Sequence, residues 1–164
     1  MAHAEDIELA WFAGIFEGEG SLVMCLTNRK EGGLHLACQA SLTNTDANLI
    51  DEVSQISRKY QIEPVIRWRE NKNHPTWKIK GEVWWYGQTK LLSLCRLLLP
   101  YIRGEKKSKS EKIIQYLEVR KNRKTYHENH DMGMLQSIIN PKISSTQSLR
   151  LDEAILRKGR LYAR

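Results

Sequence analysis

Hydrophobic and polar residues follow two different periods in the first third of the chain. In residues 5 to 17, apolar residues and glycines recur every third or fourth position, which predicts a helix with Asp6 as its N-cap. From Ser21 the apolar residues recur every second position, through a turn at residues 30 to 33 and back along residues 34 to 42. This pattern predicts a β-hairpin with one buried face.

The pattern of a helix followed by a β-hairpin then occurs a second time. Asn44-Thr45-Asp46 predicts a turn that starts an amphipathic helix ending near Tyr60. Two strands are predicted at about 62 to 70 and 76 to 86, and an apolar helix at 88 to 101 is closed by Pro100. The predicted order of elements is therefore α-β-β-α-β-β-α.

Three more helices are predicted after this pattern, at about 107 to 126, 132 to 139 and 146 to 159. We expect a single α+β domain over residues 1 to 164, with a core of about residues 5 to 126 and a C-terminal helical part of about 127 to 164. The core is expected to be a four-stranded antiparallel sheet with helices on one face.

Charge and composition narrow the choice of partner. The 164 residues carry a net charge of +7, and the pI is about 9.4, which favours a polyanion such as nucleic acid or an anionic membrane surface. The longest apolar run, Leu91 to Leu99, is too short to span a bilayer and contains Arg96. The basic residues lie on predicted strands rather than along one helix face, so a membrane partner is not expected.

The N-terminus and the cysteines indicate the cellular compartment. The segment MAHAEDIE is polar and acidic, which does not resemble a secretory signal. Cys25, Cys38 and Cys95 lie far apart, and the first two fall on opposite faces of the predicted hairpin, so neither a disulfide nor a zinc site is expected. We expect an intracellular protein, in the cytoplasm of a prokaryote or in an organelle.

One face of the predicted sheet is strongly basic, with Glu82 as its only acid. Arg, Lys, Gln, Ser and Thr side chains hold phosphates and read base edges, and a two-stranded ribbon fits the major groove. A merely solvated face would normally mix both signs of charge. The residues predicted to bind DNA on this face are Thr27, Arg29, His35, Gln39, Ser41, Arg67, Arg69, Lys78 and Lys80.

The segment WFAGIFEGEGSL, residues 11 to 22, contains glycines that a helix does not favour. A helical glycine costs about 1 kcal/mol relative to alanine. Ala10, Gly14 and Gly18 lie at i, i+4 and i+8 and form a stripe of small residues, which allows two helix backbones to approach closely. The alternative interpretation is that this stripe packs against the protein's own sheet.

The same segment ends in two acids, Glu17 and Glu19. A helix C-terminus carries partial negative charge and free carbonyl oxygens, so carboxylates are unfavourable there without a compensating partner. Carboxylates beside free carbonyls form an oxygen-rich site that suits a hard cation such as Mg²⁺. Next to a basic sheet face, this arrangement favours metal-assisted cleavage of phosphodiester bonds.

Residues 12 to 20, FAGIFEGEG, resemble the LAGLIDADG motif of homing endonucleases. The acids at the sixth and eighth positions and the glycines at the third and ninth match. The family's α-β-β-α-β-β-α core is similar to the predicted order, and two further segments, 42 to 46 and 99 to 102, look like the family's second-strand ending and the segment before its basic loop. The resemblance covers at least residues 8 to 120.

The resemblance implies a role for each matching residue. In the family, two motif helices pack together at the centre of the molecule, and a chain with one motif implies a homodimer. The expected dimer-interface residues are Ala10, Ala13, Gly14 and Glu17, with Glu17 capping or supporting the interface.

The family resemblance also implies a catalytic site. Glu19 would bind the metal, Mg²⁺ or another divalent cation such as Mn²⁺, with the carbonyl of Gly18 as a second ligand, and Asn44 would organise the solvent around it. The family's lysine near the reacting phosphate would be Lys106 or Lys107, because Glu105 occupies the matching position.

The implied function is that of an intron-encoded, site-specific endonuclease. It would cut both strands of a long pseudopalindromic duplex DNA target, with each hairpin set reading one half-site in the major groove. Two alternatives of the same fold stay open at this point: a maturase that assists splicing of intron RNA, and a DNA-binding protein that does not cleave.

Overall fold

The computed structural model describes residues 3–28, 34–70, 74, 76, 78–121 and 138. The observed elements confirm the predicted order: α1 (Ala4–Glu19), β1 (Gly20–Asn28), β2 (Leu34–Asn44), α2 (Ala47–Lys59), β3 (Val65–Arg69), β4 (Lys80–Tyr86), α3 (Gln88–Leu98) and α4 (Gly104–Lys121). The helices predicted at 132–139 and 146–159 lie outside the described residues, apart from Ile138, which is helical and buried.

The four strands form one antiparallel sheet in the order β1-β2-β4-β3. Leu42 of β2 is opposite Gly20 of β1 and Val83 of β4. The two hairpins are therefore joined by the pairing of β2 with β4. The predicted alternation is confirmed where side chains are described, because alternate apolar residues of β1, β2 and β4 are buried. The buried strand residues are Leu22, Met24, Cys38, Ala40, Leu42, Val83 and Trp85.

Trp85 lies at the centre of the core and joins the sheet to two helices. Its ring centroid is 6.0 Å from that of Phe12 and 6.1 Å from that of Phe16, both on α1. Its indole Nε1 donates a 2.7 Å hydrogen bond to Ser57 Oγ on α2. A buried indole N–H needs such a partner, so this one residue fixes α1 and α2 on the same side of the sheet.

The second hairpin is shorter than the sequence predicted. β3 begins at Val65 and β4 begins at Lys80, so Ile79 precedes the strand and is 48% exposed. The strand predicted at about 76 to 86 therefore starts later than expected. In the first hairpin Met24 is opposite Cys38, which confirms that Cys25 and Cys38 lie on opposite faces.

The N-cap of α1 also differs from the prediction. The helix begins at Ala4 with His3 as N-cap, so Asp6 falls inside the first turn. The Asp6 carboxylate instead accepts a 2.7 Å hydrogen bond from the hydroxyl of Tyr101, just after α3. Its charge still lies near the positive end of the α1 dipole.

Among the helices that the structure describes, none combines the length and hydrophobicity needed to cross a bilayer.

Candidate nuclease site and nucleic-acid interface

Helix α1 passes into strand β1 with no intervening loop. Gly20 ends the helix in an extended conformation, and its N–H donates to the carbonyl of Phe16. A Cβ at this position would lie 2.6 Å from a ring carbon of Phe16, closer than real Cβ atoms come to a neighbour. Glycine is therefore required here, and it places Glu19 at the junction between the core helix and the first strand.

Glu19 and Gly18 form the exposed end of α1. The last carbonyl oxygens of a helix have no partner within the helix, so the carbonyl of Gly18 and the carboxylate of Glu19 offer two oxygens at one helix end. Oxygen ligands are what Mg²⁺ prefers, and Mg²⁺ usually keeps several waters and substrate oxygens as its other ligands. Within the described part of one chain, no group of three or more His, Cys, Asp and Glu side chains could hold a metal. This donor set fits a cation shared with substrate oxygens.

Lys106 reaches this helix end from α4. Its Nζ donates a 2.9 Å hydrogen bond to the carbonyl of Phe16 and a further one to the carbonyl of Glu17. Partial burial lowers the pKa of Lys106, while the negative charges of Glu17 and Glu19 oppose that change. The neighbouring Lys107 has an exposed side chain. Of the two lysines, Lys106 is the one that contacts the end of α1.

Glu17 connects the end of α1 to the start of α4. Its Oε1 accepts a 3.3 Å hydrogen bond from the backbone N–H of Arg103, the residue before Gly104. A carboxylate at a helix N-terminus is stabilised by the unpaired amides and the dipole. Within one chain, Glu17 therefore helps to hold the start of α4 against the end of α1.

Asn44 lies at the end of β2, close to the same junction. Leu42, two residues earlier, is opposite Gly20, which directly follows Glu19. The Oδ1 of Asn44 accepts a 2.9 Å hydrogen bond from the N–H of Asp46, which in turn caps α2. The predicted turn and helix start at residues 44–46 are confirmed, and the turn holds the Asn44 side chain in place.

One side of α1 carries an exposed stripe of small and apolar residues. Ala10, Gly14 and Gly18 are exposed, and a Cβ added at either glycine would meet no atom within 4 Å. The interpretation that these glycines pack against the protein's own sheet is therefore wrong. Ile7, on the same stripe, is 62% exposed. Ala13, by contrast, is fully buried in the core, so its predicted place in a dimer interface is wrong.

The open face is the side of the sheet opposite the helices. Of the residues predicted to bind DNA, Gln39, Ser41, Arg67, Arg69 and Lys80 lie there. Its described positions, read from the strand register, are Ser21, Val23, Gln39, Ser41, Thr43, Val65, Arg67, Arg69, Lys80, Glu82, Trp84 and Tyr86.

Four other residues were predicted to bind DNA. Thr27 and His35 are opposite each other on β1 and β2, and each is four residues from an open-face position, Val23 or Gln39, so the register assigns both positions to the open face. Lys78 is exposed but precedes β4. Arg29 lies outside the described residues.

Two aromatic residues of the open face were missed in the sequence. Trp84 and Tyr86 stack in parallel, with ring centroids 5.5 Å apart and planes 1° apart. The guanidinium of Arg67 lies over the Tyr86 ring, 5.6 Å from its centroid. Counting every second residue from Lys80 would have found both aromatic residues, since Lys80, Glu82, Trp84 and Tyr86 share one face.

The fold is similar to those of several homing endonucleases. The homing endonuclease I-CvuI in complex with its target has a TM-score of 0.67, with 15% identity over 94% of this chain and 96% of that chain. I-CeuI, a group I intron-encoded homing endonuclease complexed with DNA, has a TM-score of 0.66, with 14% identity over 90% of this chain and 73% of that chain. The LAGLIDADG meganuclease I-CpaMI bound to uncleaved DNA has a TM-score of 0.65, with 15% identity over 93% of this chain and 51% of that chain.

These likenesses define the architecture of the chain. No protein-family description and no curated protein sequence matches it. The similarity to I-CvuI and I-CeuI extends over 94% and 90% of this chain. The chain has the fold of the LAGLIDADG homing endonucleases.

Proposed function

We propose that the protein is a site-specific double-strand DNA endonuclease that acts as a homodimer with a divalent cation, Mg²⁺ or Mn²⁺. The observation that carries the proposal is the position of Glu19. This exposed carboxylate ends α1 two residues before Ser21, which lies on the open face. A candidate acid for phosphodiester chemistry thus borders a basic sheet surface.

The open face supports the binding step. Arg67, Arg69 and Lys80 are exposed there, on the same face as the polar residues Gln39 and Ser41. Such side chains bind phosphates and base edges, and paired strands fit the major groove. I-CeuI and I-CpaMI, which share this fold, are bound to DNA in their structures, so duplex DNA is the proposed partner.

The stripe on α1 supports the homodimer. Ala10, Gly14 and Gly18 leave the helix backbone open, and Ile7 exposes apolar surface beside them. Two copies of this face related by a twofold axis would bury it and bring two α1 helices together. The chain also matches about half of I-CpaMI, 51% of its length, as expected if two such units form the complete enzyme. The DNA target is then pseudopalindromic, with one half-site for each chain.

The residues at the α1 end support hydrolysis of the backbone. A divalent cation bound there would activate the attacking water and neutralise the leaving oxygen. Glu19 and the carbonyl of Gly18 are the proposed ligands, and Asn44 orders the surrounding solvent. Two Glu19 side chains near the dimer axis would repel each other, which favours cation binding between them and the DNA.

Lys106 is the proposed contact to the reacting phosphate. Its ammonium group lies at the carbonyls of Phe16 and Glu17, within electrostatic range of the carboxylate of Glu19. From there it offsets the negative helix end and offers a third N–H to a phosphate oxygen. Lys106 is preferred to Lys107 for this role, because Lys106 contacts the end of α1 and the side chain of Lys107 is exposed.

The proposal is tested by selection from a randomised duplex DNA library, followed by incubation of the selected site with Mg²⁺. The intron-lacking version of the gene that hosts this reading frame is included as a separate substrate. We expect one enriched sequence with imperfect twofold symmetry, cut on both strands only when the cation is present. Tight binding to intron RNA without cleavage of any DNA would instead indicate a maturase.

A further inference from the structure

Glu82 is a buried carboxylate in the middle of an otherwise exposed basic surface. It is 5% exposed, although it lies on the open face, and the neighbouring Arg67, Arg69 and Lys80 are all exposed. A carboxylate that loses its water costs free energy unless it is paired and hydrogen-bonded. Its position therefore requires specific partners.

Three donors surround the Glu82 carboxylate. Its Oε2 is 3.1 Å from Arg69 Nε and accepts a 3.1 Å hydrogen bond from Trp84 Nε1. Its Oε1 is 3.4 Å from Lys80 Nζ. Both oxygens thus have partners, and these partners come from β3 as well as β4. Trp84 is itself held by its stack on Tyr86, so the carboxylate is fixed from two sides.

This arrangement constrains the guanidinium of Arg69. The side chain of Arg69 is 58% exposed, but its Nε is held by Glu82. A guanidinium has five N–H donors, and a contact through Nε leaves the two terminal amino groups available to bind another partner. That terminal fork is the part that pairs bidentately with O6 and N7 of guanine in the major groove.

A simpler explanation is that Glu82 only separates two cations. Arg69 and Lys80 are directly opposite each other in the β3–β4 register, and like charges in that position are destabilising. Charge compensation of this kind would not depend on which base pair the protein binds. An effect on base discrimination therefore separates the two explanations.

We propose that Glu82 is a positioning residue that fixes Arg69 for guanine recognition and thereby sets the sequence preference at one base pair of each half-site. The inference rests on the proposed function, because it assumes that the open face binds duplex DNA. Glu82 does not itself need to touch the DNA. It acts by limiting the orientations that Arg69 can adopt before binding.

The test starts from the DNA site selected by the wild-type protein. Substitution of every base pair in that site is combined with Arg69→Gln to find the position that Arg69 reads. Glu82→Gln should then reduce discrimination at that same position by about tenfold, within the range that one bidentate contact provides. Affinity for unrelated DNA should stay equal or increase, because a negative charge is lost from the binding surface.

Glu118→Gln is the matched control. Glu118 pairs with Arg96 between α3 and α4, so this variant removes the same charge from an exposed ion pair of the helical layer. We expect it to leave discrimination unchanged. Glu82→Gln should fold, since Arg69 and Lys80 are both exposed and no buried cation is left unpaired. Circular dichroism and thermal melting check this directly.

A double variant shows whether Glu82 acts through Arg69. If it does, adding Glu82→Gln to Arg69→Gln changes discrimination less than about twofold. The inference is overturned if folded Glu82→Gln keeps wild-type discrimination, or if its effect persists undiminished without Arg69. Failure of the proposed function gives a different result, because the wild-type protein would then enrich no DNA sequence. The inference about Glu82 would be rejected in that case as well.

Discussion

The ammonium group of Lys106 lies 2.9 Å from the carbonyl oxygen of Phe16, which is 90 residues earlier in the chain. The contact joins the start of α4 to the end of α1. A positive charge at a helix C-terminus offsets the partial negative charge of the unpaired carbonyls. It also places a cation within electrostatic range of Glu19, near which a reacting phosphate is proposed to bind.

Replacing Lys106 should therefore affect both catalysis and stability. Lys106→Met is expected to lower the cleavage rate about 100-fold or more, because an electrostatic contact to the reacting phosphate is typically worth that much. It should also reduce the free energy of unfolding by roughly 1 kcal/mol through loss of the contacts to the α1 carbonyls. Single-turnover cleavage and urea denaturation measure the two effects.

Lys107→Met is the matched control, since it removes the same charge one residue away. We expect a change of less than threefold in cleavage rate and little change in stability. Equal losses in both variants would contradict the assignment of the phosphate contact to Lys106.

The lowered pKa of Lys106 predicts a specific dependence of stability on pH. Burial is the main cause, and it places the folded-state pKa below the ordinary value of 10.5. Between these two pKa values the unfolded chain binds more protons, so Lys106 makes stability rise with pH in that window. The free energy of unfolding, measured by urea denaturation from pH 8 to 10.5, should rise more steeply with pH for the wild-type protein than for Lys106→Met. A less positive wild-type slope would mean that the nearby glutamates raise the pKa instead.

The exposed stripe on α1 predicts that a bulky residue at Gly14 separates the dimer without harming the chain's own fold. A Cβ at Gly14 meets nothing within 4 Å, and leucine favours a helix more than glycine does. Sedimentation equilibrium of Gly14→Leu should give the mass of one 19.1 kDa chain, with an unchanged circular dichroism spectrum. Double-strand cleavage should be lost.

Gly20→Ala provides the contrast within the same segment. Its Cβ would lie 2.6 Å from a Phe16 ring carbon, so this smaller substitution should destabilise the fold by about 1 to 3 kcal/mol. If Gly14→Leu remained a fully active dimer, the proposed interface would be in the wrong place.

Lys78 is expected to contact the DNA backbone rather than a base. It is exposed and lies just before β4, beyond the paired part of the hairpin. Lys78→Gln should weaken binding to all DNA sequences to a similar extent. A plot of the logarithm of the binding constant against the logarithm of the salt concentration should become less steep by about 0.9 for each chain. Lys90→Gln, on α3, should leave the slope nearly unchanged. A loss confined to one base pair would contradict a phosphate contact.

The first hairpin could be predicted because its alternation is unambiguous. Leu22, Met24, Cys38, Ala40 and Leu42 are all apolar at every second position, and all are buried. The second hairpin gave a weaker signal, since Trp84, Trp85 and Tyr86 are three consecutive aromatic residues. The three aromatic residues alone do not indicate which of them is in the core, and only the alternation counted from Lys80 places Trp85 there and its two neighbours on the open face.

Two features of the site depended on tertiary contacts that no local pattern contains. Ala13 and Gly14 are adjacent small residues, and only the packing of Phe12 and Phe16 shows that the first is buried and the second is not. Lys106 and Lys107 are chemically identical neighbours. The rotation of α4 against α1 decides which of them reaches the carbonyls of Phe16 and Glu17.

The central claim is that Glu19 is the residue whose carboxylate is needed for cleavage. A plasmid carrying the selected site is incubated with Mg²⁺ and either wild-type protein or Glu19→Gln, and binding is measured in parallel by gel shift. The wild-type protein should convert the supercoiled plasmid to the linear form, and Glu19→Gln should bind the same site while leaving the plasmid supercoiled. Linearisation by Glu19→Gln at the wild-type rate would contradict the claim.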